Sequence, residues 1–86
     1  MKIGRLSRNG SVIAQDIELE IRVDHRRSDG RDGWHGEAWL PTDEIIIPGN
    51  VLRLEIQGES AEDVVVDRVT VDSGGARMLV RFHPTD

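Results

Sequence analysis

Ile17, Leu19, Ile21 and Val23 alternate with Glu18, Glu20, Arg22 and Asp24. A period of two sends the four aliphatic side chains to one face of a strand and the four charges to the other. Wound into a helix, the same aliphatics would scatter around the circumference, so residues 16–24 are predicted as a half-buried strand. Residues 51–57 repeat the pattern, with Leu52, Leu54 and Ile56 inward and Arg53, Glu55 and Gln57 outward. Residues 76–83 repeat it again: Met78, Val80 and Phe82 face in, Arg77, Leu79, Arg81 and His83 face out, and Pro84 stops the strand. Residues 63–72 change phase midway. Val64 and Val66 share one parity, Val69 and Val71 the other, and Asp67-Arg68 sits at the change. One extra residue there, a β-bulge, restores a single buried face.

The intervening segments are read from their turn chemistry. Asn9-Gly10 tolerates positive φ and predicts a tight turn between a strand at 2–6, with Ile3 and Leu6 inward, and a return arm at 12–14. Residues 25–33 read as a polar loop broken by Asp29-Gly30 and Asp32-Gly33. A strand over 34–40 ends at Pro41, which has no amide hydrogen for a ladder. Thr42-Asp43-Glu44 is read as a short helical turn, Ile45-Ile46-Ile47 as an apolar plug, and Pro48-Gly49-Asn50 as a turn. Residues 58–62 and 73–75 are hairpin connections. No amphipathic helix is available to cover an open sheet, so the sheet is expected to close on itself. The predicted fold is all-β, a small antiparallel barrel or sandwich of five to six strands, with residues 1–86 as one domain. The terminal strands 2–6 and 76–83 are candidate edges. Edges offer unpaired amides to another chain, which predicts self-association there, with Leu79 adding apolar contact.

Composition narrows the function classes. The 86 residues contain no cysteine, which removes disulfides, thiolate metal sites and a cysteine nucleophile. The apolar residues are mostly Val, Ile and Leu, which suits pleated structure. The net charge of -5 is uneven. Residues 1–33 carry seven basic and six acidic groups, residues 34–86 four and ten. An acidic chain with two tryptophans and one phenylalanine lacks the basic footprint and stacking rings of a nucleic-acid binder. No apolar run approaches the roughly 18 residues of a membrane helix. Arg5, Ser7, Arg8 and Asn9 interrupt any signal-like apolar centre, so a cytoplasmic location is expected.

Little catalytic chemistry is suggested. His25, His35 and His83 lack ligand spacing, although Asp32 or Glu37 could in principle complete a zinc site with them. Neither a metal nor any other cofactor is expected. Asp72, Ser73 and a histidine can be drawn as a triad, but Ser73 lies in a glycine-rich turn where serine is an ordinary residue. Gly30, Gly33 and Gly36 form no phosphate-binding motif. The chain is therefore expected not to be an enzyme. Arg26, Arg27 and Arg31 crowd the polar loop and are candidate anion ligands, which suggests a small-ligand or nucleotide-sensing barrel as the alternative function. The Arg-x3-Arg spacing of Arg27 and Arg31, and of Arg22 and Arg26, resembles the first motif of PilZ domains, small β-barrels that bind cyclic di-guanylate. Their second motif, Asp/Asn-x-Ser-x2-Gly, is not matched: Asp72-Ser73-Gly74-Gly75 lacks the spacer residue and comes too late in the chain. The resemblance covers two residues and a fold class, and the chain is not assigned to the family.

Residues 34–40 carry the most information about function. In a regular strand, Trp34, Gly36, Ala38 and Leu40 share the core face, while His35, Glu37 and Trp39 share the outer one. An outward tryptophan marks a contact surface. A bulge at Gly36, or the triple-isoleucine loop folding over Trp39, would instead hide it. The leading expectation is a small non-enzymatic binding or structural-interaction module that contacts a protein partner through His35, Glu37, Trp39 and Leu79. Because folding is expected to need no metal, EDTA should leave the thermal midpoint unchanged; a fall of many degrees would contradict this.

Overall fold

A computed structural model describes residues 2–24 and 33–85. Six strands make up its regular structure: β1 (Lys2–Arg8), β2 (Ser11–Asp24), β3 (Gly33–Pro41), β4 (Val51–Ile56), β5 (Glu62–Val71) and β6 (Arg77–Pro84). They pair antiparallel in the order β1-β2-β3-β6-β5-β4 and close into a barrel where β4 meets β1. The fold is thus all-β and antiparallel as expected, and of the two architectures predicted, barrel or sandwich, it is the closed barrel. Closure corrects one expectation. Both terminal strands are paired on two sides, β1 with β2 and β4, β6 with β3 and β5. Neither is an edge, so the edge-strand route to self-association has no free ladder in either of them.

Bulges bend the strands into the ring. In β5, Val66 pairs with Phe82 and Arg68 with Arg81, which leaves Asp67 as the extra residue. The phase change between Val66 and Val69 is this bulge, at the predicted place. Val69 accordingly returns to pack against the core, whereas Val71 lies beyond it and is exposed. The segments expected at 12–14 and 16–24 are one continuous strand, β2. It carries two register shifts against β1, one between Gly4 and Leu6 and one between Leu6 and Ser7. Asp16 lies at the first, with φ 51°. An extra residue increases local twist, and two in succession let β2 swing from β1 toward β3. The shifts also change which residues face in. Gly4, not Ile3, holds the inward position, and a Cβ on it would lie 2.6 Å from Leu19 Cδ1 and 2.8 Å from the Glu55 carbonyl oxygen.

Strand order dictates how the ends are covered. β3 and β4 are three positions apart in a ring of six and so stand on opposite walls. The connection at 42–50 must therefore cross one end of the barrel. It does so with Ile46 buried in the core while Ile45 and Ile47 remain exposed. Only the middle isoleucine acts as the plug. Thr42–Glu44 form a turn, not a helix, and the Thr42 hydroxyl donates to the Gly75 carbonyl at 2.9 Å. Arg8 tethers the connection by donating to the Ile45 carbonyl at 2.6 Å. Pro48-Gly49 makes the expected turn, with Gly49 at φ 95° and the Asn50 amide donating to the Ile47 carbonyl. At the opposite end, the mouth, β2 finishes and β3 begins.

The interior is filled by the inward residues of all six strands, with Leu6, Val64, Val80 and Phe82 fully buried. Gly36 pairs in regular register with Ile21 and Phe82, so β3 has no bulge there. A Cβ at Gly36 would sit 2.6 Å from Phe82 Cε1 and 2.9 Å from Ile21 Cδ1. The Phe82 ring thus takes the space that a side chain at position 36 would need, and Trp34 packs edge-on against that ring at 6.3 Å. Gly36→Ala should cost about 1–3 kcal/mol by overpacking. Phe82→Ala should cost about 3–5 kcal/mol through the cavity it leaves. Urea unfolding measures both; a neutral Gly36→Ala would show that the ring can move aside.

Candidate functional site

Sheet register assembles the outer face of β3 and its neighbours. Glu37 on β3 stands between Glu20 of β2 and Arg81 of β6, and Arg81 in turn is opposite Arg68 of β5. One row across four strands therefore reads acid, acid, base, base. The next row places Trp39 beside Leu79, and Leu79 beside Thr70. His35 lies opposite Arg22 on the other side of Glu37. The predicted contact residues His35, Glu37, Trp39 and Leu79 thus share one continuous surface. Trp39 is 45% exposed, while the side chains of the other three are partly covered. The crossing loop buries Ile46 in the barrel end and leaves the tryptophan exposed.

Trp39 is nonetheless held in place. The guanidinium carbon of Arg77 lies 4.5 Å from the ring centroid. Arg77 also approaches Asp72, with Nη2 at 3.8 Å from Oδ2. A stacked cation at an exposed site contributes about 0.5–1 kcal/mol and restricts the ring. Alternation turns Arg77 outward but assigns it no contact role. Its parity with Leu79 was legible, but the register that places it by Trp39 was not.

Beside the ring, a surface groove of about 440 Å³ runs over β2 and β3. Trp39 and Leu79 form its apolar side, and Glu18, Glu20, Glu37 and Lys2 its charged side. Two of these charges are already matched: Arg22 bonds Glu20 at 2.5 Å, and Lys2 pairs with Glu59. Among the described residues, Glu18 and Glu37 have no ion-pair partner within 4.0 Å.

The mouth offers a smaller cavity of about 210 Å³, lined in part by Trp34, Val23 and Ile56. Trp34 is half-buried there, on the core face as its parity required. The candidate anion ligands Arg26, Arg27 and Arg31 lie outside the described residues, as does His25. A third cleft, of about 270 Å³, follows the β1–β2 register shift; the charges at its wall include Arg5 and Glu55, bonded to each other at 2.5 Å.

The groups considered for catalysis are not brought together. Ser73 lies in the β5–β6 turn, where its hydroxyl donates to Asp72 Oδ1 at 3.5 Å. His83 is at the far end of β6, roughly 20 Å away at the ordinary strand rise, and bonds Asp67 at 2.5 Å. His35 is at the mouth end of β3. Among the described residues, no three His, Asp or Glu side chains converge as a metal site. Among the described residues, no helix is long and apolar enough to cross a membrane. Comparison with protein-family models, characterised proteins and solved structures gives no match for the chain.

The two tryptophans should separate in their effect on stability. Trp34→Ala removes a ring packed on Phe82 and should cost about 3 kcal/mol, the lower end for a large core truncation because the site is half-buried. Trp39→Ala loses chiefly the Arg77 contact and should cost about 1 kcal/mol or less. Urea unfolding beside the parent chain checks both, and equal losses would contradict the assignment of the two faces.

Proposed function

We propose that this chain is a small non-enzymatic binding module that docks a protein partner through the outer face of β3 and β6. The observation that carries the reading is Trp39, exposed at 45% yet oriented by Arg77, standing beside Leu79 at the edge of a groove. A large ring partly restricted in advance loses less conformational entropy on binding, and tryptophan is enriched among residues that dominate interface energetics. The closed barrel supports the same reading. Its interior is packed with aliphatic side chains and Phe82, which leaves little room for an internal ligand. With β1 and β6 paired on both sides, recognition falls to side chains on the outside of the sheet.

The test compares partners captured from native lysate by three immobilised forms: the parent chain, Trp39→Ala and Val51→Lys. Val51 is 54% exposed on β4, the opposite wall, so its substitution alters a comparably accessible apolar site away from the groove. Partners should be retained by Val51→Lys and lost with Trp39→Ala. Capture that survives Trp39→Ala would place the binding surface elsewhere.

A further inference from the structure

We infer that the partner segment seated on this face is basic: an extended stretch that lays an apolar residue on Trp39 and Leu79 and puts a lysine or arginine into the groove. The inference rests on the docking role of Trp39 and adds the chemistry of what docks. Of the four charged side chains lining the groove, three are carboxylates. The single ammonium, Lys2, is paired with Glu59, and Glu20 is paired with Arg22. Glu18 and Glu37 remain without an ion-pair partner among the described residues. Leu19 pairs with Ala38, so Glu18 precedes the last β2–β3 pair just as Trp39 follows it. Glu37 lies two residues before Trp39 on the same face of β3. Among the described residues, the ring is therefore flanked at the groove by two carboxylates with no ion-pair partner within 4.0 Å, Glu37 standing opposite Arg81 in the β3–β6 register.

Trp39 itself already accepts a cation, since Arg77 stacks on it at 4.5 Å. An incoming basic side chain would find the same combination of ring and carboxylate that Arg77 finds in Trp39 and Asp72. The direction in which the segment lies is also constrained. Glu20 beside Glu37 and Arg81 beside Arg68 set like charges directly opposite each other, an arrangement that weakens cross-strand pairing. Along this row the face is consequently divided, acidic over β2–β3 and basic over β6–β5, while Arg22 on β2 and Asp67 on β5 lie outside the row. A basic residue is favoured on the groove side of Trp39 and repelled on the other, so the charge pattern selects both the partner and its orientation.

The experiment uses the full chain carrying Trp34→Phe, so that Trp39 is the only emitter. It is titrated with the peptide acetyl-Gly-Lys-Gly-Leu-Gly-amide, whose lysine and leucine share one face of an extended chain, and with its Glu-Gly-Leu counterpart. The basic peptide should shift Trp39 emission with saturation and weaken as salt rises from 0.05 to 0.5 M. The acidic peptide should not bind. The double substitution Glu18→Gln and Glu37→Gln should reduce affinity for the basic peptide about fivefold, the size expected for two exposed charge pairs. Equal binding of both peptides, no binding of the basic one, or unchanged affinity in the Gln variant would overturn the inference. If the basic peptide fails while lysate capture still depends on Trp39, the surface is correct and its assigned charge preference is wrong. If capture is also independent of Trp39, both readings fall.

Discussion

Phe82 and the missing side chain of Gly36 determine how closely β3 and β6 can approach inside the barrel. Phe82 is fully buried and is the only phenylalanine in the chain. Its ring occupies the position where any β-carbon on residue 36 would project. A side chain there would push β3 outward and shift its pairing with β6. Because Gly36 instead sits in regular register, the parity of β3 is maintained from Trp34 to Leu40. Trp34 is thereby directed onto Phe82, and Trp39 is directed away from the core. The register with β6 then sets Leu79 beside Trp39 and brings Arg77 over its ring. The proposed interface is thus a consequence of how the interior packs.

Closure imposes the second constraint. In an open sheet, the outermost strands would present backbone donors and acceptors, and association could proceed through the ladder with little regard for side chains. Here β1 and β4 complete the ring. On the proposed reading, specificity comes from what the outer face carries. That face places an oriented tryptophan, a leucine and a divided charge pattern within neighbouring rows of the same sheet. Exposed ion pairs such as Arg22–Glu20 add little to stability, on the order of 1 kcal/mol or less. Their arrangement bears more on which partner can approach than on whether the barrel folds.

Much of this was legible in the chain. Strict alternation located β4, β6 and most of β2, and the phase change at Asp67 located a bulge. Asn9-Gly10 and Pro48-Gly49 announced turns whose positive φ values the backbone adopts. Parity alone separated Trp34 from Trp39. Other features were not legible, for physical reasons. Local pattern cannot show which strands pair after a crossover, so β1 and β6 looked like edges. The two register shifts in β2 do not show in the pattern because Ile13 and Ala14 are themselves apolar, which masks a change of phase; alternation therefore points Ile3 inward, where the structure has Gly4. Three consecutive isoleucines suggested a plug, whereas the path across the barrel end turns only Ile46 inward. The neighbours Arg77, Glu18, Glu20 and Arg81 depend on register between strands distant in sequence, which alternation does not encode.

Everything assigned to the outer face depends on the ring being closed, and amide hydrogen exchange followed residue by residue tests closure most directly. The ladder of Gly4, Arg5, Leu6 and Ser7 with Ile56, Glu55, Leu54 and Arg53 joins the two ends of the strand order. Amides donated across this ladder should be protected to within about tenfold of those joining β3 to β6, since both belong to one cooperative unit. Exchange near the unprotected rate at the amides donated between β1 and β4, with those joining β3 to β6 still protected, would mean that the sheet is open. Two free edges would then be available, and recognition could run through the backbone instead of through Trp39.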